Sequence, residues 1–385
     1  MMSQKPELTD LTICRAAFAA WVFVYHLDLH LHFSAWLGPA AGLVRHGYMG
    51  VDGFFILSGL VLMHTHQEFN APNMDQVDAR FRPAPPQAWL RFYGKRLARI
   101  YPVHLATLLI LLALLALGSA LGIAPQSPQR FGLGSFVENL FLVQGWGLDH
   151  FGAWNYPAWS VSTEWAGYLL FPLFALLLTY WDRGVSLQLA IVVFPVMGLI
   201  YYFAGETLNL AFAAGLWRLI PEFLAGMVMV RIASAAADYD VWRRVFIGGG
   251  AALILLGALT VDVATVLGLW MLLFGLYMQY DAQRPPAFGR RPALHFLGLL
   301  SYCFYMSFAI AELLTVQLFR HLGWQPTDEK ALFALIMTGL TFILAILLRG
   351  FVEQPARRAA NRWLAEDAPA QAPPPPATEK PQSLF

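Results

Sequence analysis

Runs of about twenty apolar residues recur along this chain, and that length is what a helix needs to cross a bilayer. Ten are legible, at 11–32, 49–66, 98–121, 157–180, 186–204, 207–230, 245–261, 263–280, 293–319 and 331–350. Backbone polar groups inside a bilayer must be satisfied within the segment itself, so such runs fold as helices. The expected fold class is an all-α polytopic membrane protein of about ten transmembrane helices. Composition agrees: charged residues make up 13% of the 385 positions, about half the soluble-protein share of roughly 25%. A net charge of +1 leaves no basic surface for nucleic acid. Cys14 and Cys303 both lie in apolar runs, so neither a disulfide framework nor a Cys-rich metal site is expected. The first run lacks the charged n-region and cleavage site of a signal peptide and is expected to remain as a span.

Loops on the cytoplasmic side of a membrane carry the excess of Lys and Arg. With the N-terminus inside, 19 of the 25 basic residues fall in inner segments and four in outer ones, while Arg15 and Arg218 lie within spans. One missed helix would scramble every later loop, so ten spans with both termini cytoplasmic is the reading. Residues 1–362 form the membrane domain, and 363–385, with Pro373–Pro376, a disordered cytoplasmic tail. The longest outer loop, 122–156, holds an apolar patch at 136–143 too short to span; it either lies in the interface or covers a site.

Ionisable residues within spans are expensive there and are candidates for function. Arg15 and His26 are eleven residues apart, three helical turns to within about 20°, so they share a face about 16 Å apart along the axis. Arg15 is then near the inner rim and His26 in the outer half. Alone, Arg15 reads as a snorkelling side chain and His26 as a bonded interior histidine. Asp52 opens the second span among Gly50, Gly53 and Gly59; an N-cap explains the acid and close helix packing the glycines. Ser160, Glu164 and Tyr168 share a face of the fourth span, as a hydrogen-bonded seam would, yet a carboxylate so placed needs a partner. Depth counted from the span edges puts His26, Asp52 and Glu164 together. On the inner side, Arg96 and Arg99 are spaced i, i+3. Each passes as ordinary positive-inside charge; together their guanidinium forks suit phosphate. Arg218 with Glu222, and Glu353 with Arg357, read as self-neutralising i, i+4 pairs. This two-level inventory suits group transfer across a membrane and equally a proton-coupled transporter or flippase using His26, Asp52 and Glu164 as its relay.

Seven segments then bring a family into view: Arg15 and His26 with ten residues between them; Gly50 to Gly59; Phe92 to Pro102; Trp159 to Glu164 with Tyr168 and Pro172; Arg218 to Phe223; Ser301 to Tyr305; and Val352 to Pro355. In this order on ten spans, over roughly 8–360, the chain resembles the integral-membrane acyltransferase type 3 family. The resemblance implies an enzyme, an O-acyltransferase moving an acyl group, usually acetyl, from cytoplasmic acyl-CoA. Acceptors in that family are mostly cell-envelope or exported glycans and lipid-linked sugars, with some macrolides and other small molecules, and the setting is the bacterial inner membrane. Carried over by position, Arg15 and His26 form its Arg-x10-His motif, and Arg96 and Arg99 its Arg-x-x-Arg motif. Two positions depart. Thr12 stands where an acid is common, and Phe308 where a second histidine often follows, so one histidine carries over and not two. On this reading Arg96 and Arg99 engage the donor phosphates and Arg15 guides the pantetheine. His26 is general base on the acceptor hydroxyl, with a transient acyl-histidine as a variant, and Glu164 or Asp52 orients its ring. No metal is called for.

The ten-span topology predicts that reporters fused after Trp36, Phe131 and Trp324 read outside and those after Asp78, Asp238 and Ala287 inside. An outside signal after Asp238 would break the count.

Overall fold

The computed structural model describes residues 8–66, 86–125, 127–148, 152–180, 183–236 and 240–366. Every regular element among them is helical: α1 (Thr9–Leu31), α2 (Ala41–Arg45), α3 (Gly50–Thr65), α4 (Pro86–Ala120), α5 (Leu133–Leu140), α6 (Trp159–Tyr180), α7 (Arg183–Phe203), α8 (Gly215–Ala236), α9 (Asp240–Gly257), α10 (Asp262–Asp281), α11 (Pro292–Leu322), α12 (Lys330–Leu348) and α13 (Gln354–Glu366). Among the described residues nine helices are long and apolar enough to cross a membrane. The tenth expected span is α9, which opens on Asp240, Arg243 and Arg244 and so has a shorter apolar stretch. It still runs the length of a span with its neighbour. Gly250 meets Leu272 and Gly257 meets Thr265, an antiparallel register along α10. The chain is a multi-pass, all-α membrane protein.

Helix directions follow from which residues touch. Gly47 lies against Trp21 and Gly50 against Phe18, so α1 and α3 are antiparallel. Gly298 lies against Thr12 and the Phe23 ring against Phe304 and Phe308, so α1 and α11 run parallel. The helices α3 and α8 also run parallel: Asp52 bonds Arg218, and Gly59 sits on Phe223. These relations are those the alternating topology requires.

Three boundaries move, each for a local reason. The apolar run from 207 becomes α-helical only at Gly215, after a single 3-10 turn at Phe212–Ala214. Before it, Leu208 N donates to Asp262 Oδ2 (2.6 Å) and Leu210 O accepts from Arg218 (3.2 Å), so side chains take the bonds a helix would use. The helix α4 starts a dozen residues before its apolar run, carrying Arg91, Lys95, Arg96 and Arg99 inward as one rod. The tail boundary expected at 363 falls inside α13, which packs against α4; residues 367–385 lie outside the described residues.

Helices α3 and α8 meet glycine on backbone. A Cβ at Gly226 would stand 1.9 Å from Ile56 O, and one at Gly59 2.0 Å from Phe223 O. In lipid, where apolar helices gain little from leaving water, such approach is a main source of association. Gly226→Leu is expected to wedge α3 from α8 and cost at least the 1–3 kcal/mol typical of overpacking. Gly198→Leu, with nothing within 4 Å of its Cβ, is the control. Thermal melts in detergent should fall sharply for the first and hold for the second.

Candidate active site

One face of α1 serves two cavities. Arg15 lines an inner one of about 100 Å³, together with Arg96 and Arg99 from α4, Ser58 from α3, Ser160, Glu164 and Tyr168 from α6, and Tyr302 and Tyr305 from α11. His26 lines an outer one of about 430 Å³, with Tyr25, Tyr48, Arg130, Tyr156, Trp159, Phe212 and Glu312. Val51 and Tyr305 line both and are the wall between them. Tyr305 is pinned there, its hydroxyl 2.9 Å from Ser160 Oγ and 3.1 Å from Pro157 O.

The inner cavity is built for an anion. Three guanidinium groups face one carboxylate, and that carboxylate is occupied: Glu164 Oε1 accepts from Tyr168 at 2.5 Å and from Ser58. Arg15 Nε and Arg96 Nε are buried with no acceptor among the described residues. A buried donor left unmade costs about 1–3 kcal/mol, and planar forks aimed at one space suit oxyanions.

The outer cavity presents one histidine among aromatic rings. His26 Nδ1 lies 2.8 Å from Val22 O. A carbonyl only accepts, so Nδ1 carries the hydrogen, and Nε2 is the ring atom left to take up or release a proton. Aromatic rings pack around the imidazole, with Phe308 at 4.7 Å, Tyr25 at 5.0 Å and Tyr156 at 5.5 Å between centroids. The outer loop covers this cavity rather than lying apart from it. Gln129, Arg130, Gly152 and Tyr156 line it, and Arg130 Nε donates to Gly152 O at 2.7 Å.

The expected partnership of His26 with Glu164 or Asp52 is not the arrangement found. Glu164 lies below the Ser160–Tyr305 wall, among the arginines. The run from 157 does begin as read, but residues 153–159 are largely buried inside the protein. The edge of the fourth span is therefore not the membrane surface, and depth counted from it is too shallow. Asp52 is neither base partner nor N-cap. Both its oxygens accept from Arg218, at 3.1 and 2.5 Å, and neither residue has exposed side-chain surface. Arg218 thus turns to Asp52, and neither oxygen of Glu222 accepts a bond from it. Glu353 does pair with Arg357 (3.3 Å), and with Arg349 (3.4 Å). The carboxylate beside His26 is Glu312, bonded to His30 and Tyr156. Among the described residues no three His, Cys, Asp or Glu side chains gather as a metal site.

Comparison with known proteins decides the class. The family model described as "Acyltransferase domain", that of the type 3 acyltransferases, matches residues 8–350. The chain belongs to this family. It is also 27% identical to the acyltransferase MdmB of Streptomyces mycarofaciens over 415 residues, covering 98% of each chain. No solved structure matches. The protein is a membrane acyltransferase, with a donor and an acceptor to accommodate, and the transporter reading of the same residues gives way to this.

Breaking a buried ion pair strands its partner and costs about 3–5 kcal/mol. Asp52→Asn should therefore lower the melting temperature and the yield of folded protein, with the specific activity of the surviving fraction changed far less. Melts and active-fraction titration in one preparation separate the two.

Proposed function

We propose that this acyltransferase moves an acyl group, acetyl foremost, from acyl-CoA on the arginine-rich cytoplasmic side to a hydroxyl of a cell-envelope or exported glycan, in the bacterial inner membrane. The observation that carries the reading is the division of one helix face between two cavities. Arg15 stands with Arg96 and Arg99 in a space with unmet guanidinium donors, and His26 presents an unencumbered Nε2 in another.

Arg96 and Arg99 hold the phosphates of the donor, and Arg15, beside them, neutralises what enters further. His26 takes the acceptor hydroxyl proton on Nε2. The freed oxygen attacks the thioester carbon, the C–S bond breaks, and the leaving thiolate recovers the proton. General-base help of this kind is usually worth about 10²–10⁴ in rate. The aromatic lining of the outer cavity, including Tyr25, Tyr48, Trp159 and Phe212, supports a ring-shaped acceptor with few charges.

The test uses protein purified into lipid, with labelled acetyl-CoA, and mass spectrometry of envelope glycans from cells with and without the protein. His26→Ala should abolish transfer and leave acetyl-CoA binding intact. Arg96→Ala with Arg99→Ala should weaken that binding at least tenfold, and the paired lysine variant should restore it only in part. Transfer by the wild type should fall as the assay is made acidic enough to protonate His26, because a protonated ring cannot accept the hydroxyl proton. Unchanged donor affinity in the double arginine variant, or full turnover by His26→Ala, would overturn the assignment.

A further inference from the structure

Glu312 belongs to none of the seven motif segments, yet it is the one acidic residue of α11. Both its oxygens are held. His30 Nε2 lies 2.8 Å from Oε1, and the Tyr156 hydroxyl donates to Oε2 at 2.6 Å. The ring of the same Tyr156 rests against His26. Glu312 lines the outer cavity beside His26 and also a smaller one of about 80 Å³, and Arg130 and Tyr156 line both. Asp52 pairs with Arg218 and Glu353 with Arg349 and Arg357. Glu312, like Asp262 with Tyr48 and His46, takes a histidine and a phenol, and of those two carboxylates it is Glu312 that lines the cavity of His26. Arg130, the nearby cation, donates to Gly152 O and lies over the Tyr156 ring at 5.0 Å.

We infer that Glu312 is the positioning carboxylate of His26, held by Tyr156 and His30 so that its charge stabilises the imidazolium formed during transfer. The inference rests on the reading of His26 as the base. His26 needs no carboxylate for its tautomer, which Val22 O fixes; what it lacks is a counter-charge when the hydroxyl proton arrives on Nε2. Glu312 supplies that charge without itself taking the proton, as the acid of a Ser-His-Asp triad does. The proton then goes to the departing thiolate, and Glu312 ends as it began. The other titratable or charged groups facing His26 are Tyr25 and His30 on its own helix, Tyr48 before α3, Arg130 and Tyr156 in the outer loop, Arg218 on α8 and Tyr305 on α11. None of these brings a carboxylate; among the described residues that line this cavity Glu312 is the only one.

The experiment reads His26 directly. Diethyl pyrocarbonate modifies neutral imidazole, so the rate of His26 carbethoxylation against pH, followed on its own peptide by mass spectrometry, gives the ring's midpoint without turnover. Glu312→Gln removes the charge at constant shape and should lower that midpoint by about one pH unit, while Glu312→Asp keeps it near the wild-type value. Glu164→Gln should leave it where it is. Should the amide variant not accumulate, Glu312→Ala makes the same test. In the lipid assay Glu312→Gln should slow transfer at least tenfold with acetyl-CoA affinity unchanged. An unmoved midpoint in the Gln or Ala variant, or an equal shift from Glu164→Gln, overturns the inference while leaving the base assignment standing. Full transfer by His26→Ala together with a shifted midpoint sinks the base assignment, and with it the role given to Glu312, though the pairing would remain.

Discussion

A guanidinium and a carboxylate with no exposed surface hold the centre of this protein together. Arg218 gives two bonds to Asp52 and one each to the carbonyls of Tyr48 and Leu210, and its charged face lies 5.5 Å from the Trp159 ring centroid. Left alone, either charge would cost several kcal/mol at this depth. Paired, they join α3 to α8 and anchor the non-helical segment before α8. The pair is only possible because the two helices approach so closely at Gly59 and Gly226. A side chain on either glycine would push the backbones apart, and the acid would no longer reach the base. The glycine seam and the ion pair are two halves of one constraint.

That constraint also fixes the wall between the cavities. Val51 is the neighbour of Asp52, and Tyr305 faces it with a hydroxyl tied to Ser160 and Pro157. Arg15 and His26 lie on opposite sides of this wall and about 16 Å apart along α1. A ligand that reaches both, as the proposed reaction asks, must be long and thin, with an anionic part among the arginines and its far end beside His26. An acyl thioester on a flexible arm meets that description. A sugar nucleotide, whose transferred group sits directly on the phosphate, does not. The spacing on one helix therefore bears on the chemistry of the donor as well as on the arrangement of the site.

Much of this was legible in the sequence, because helical periodicity is a local property. A spacing of eleven residues from Arg15 to His26 fixes a shared face whatever surrounds α1, and Gly50, Gly53 and Gly59 announce a close contact without naming the helix that makes it. What periodicity does not carry is depth. A span edge places Glu164 level with His26 only where it marks the membrane surface, and here residues 153–159 dip into the protein and move that edge. Partners across helices are equally hidden. Arg218 has Glu222 one turn away and bonds Asp52 from another helix, since the bidentate geometry is available there. Glu312 did have a signal, a lone acid in the run 293–319, but it lies outside the motif segments that drew attention to its neighbours.

The position of Phe308 bears on how few groups the site needs. The resemblance implies a second histidine there, whereas in this chain a phenylalanine ring packs against His26 at 4.7 Å, touching Tyr156 and Tyr305 as well. Two titratable rings at that distance would share a proton and repel when both were charged. One ring has no such competitor, and the proposed reaction asks for no more than one. The acceptor hydroxyl gives up a proton, and the leaving thiolate needs one, its ordinary affinity lying near pKa 8.5, well above that of imidazole. The proton His26 receives at the start is the proton the thiolate takes at the end. A single base with a fixed counter-charge is then sufficient, and the aromatic ring in the second place packs against the imidazole on one side.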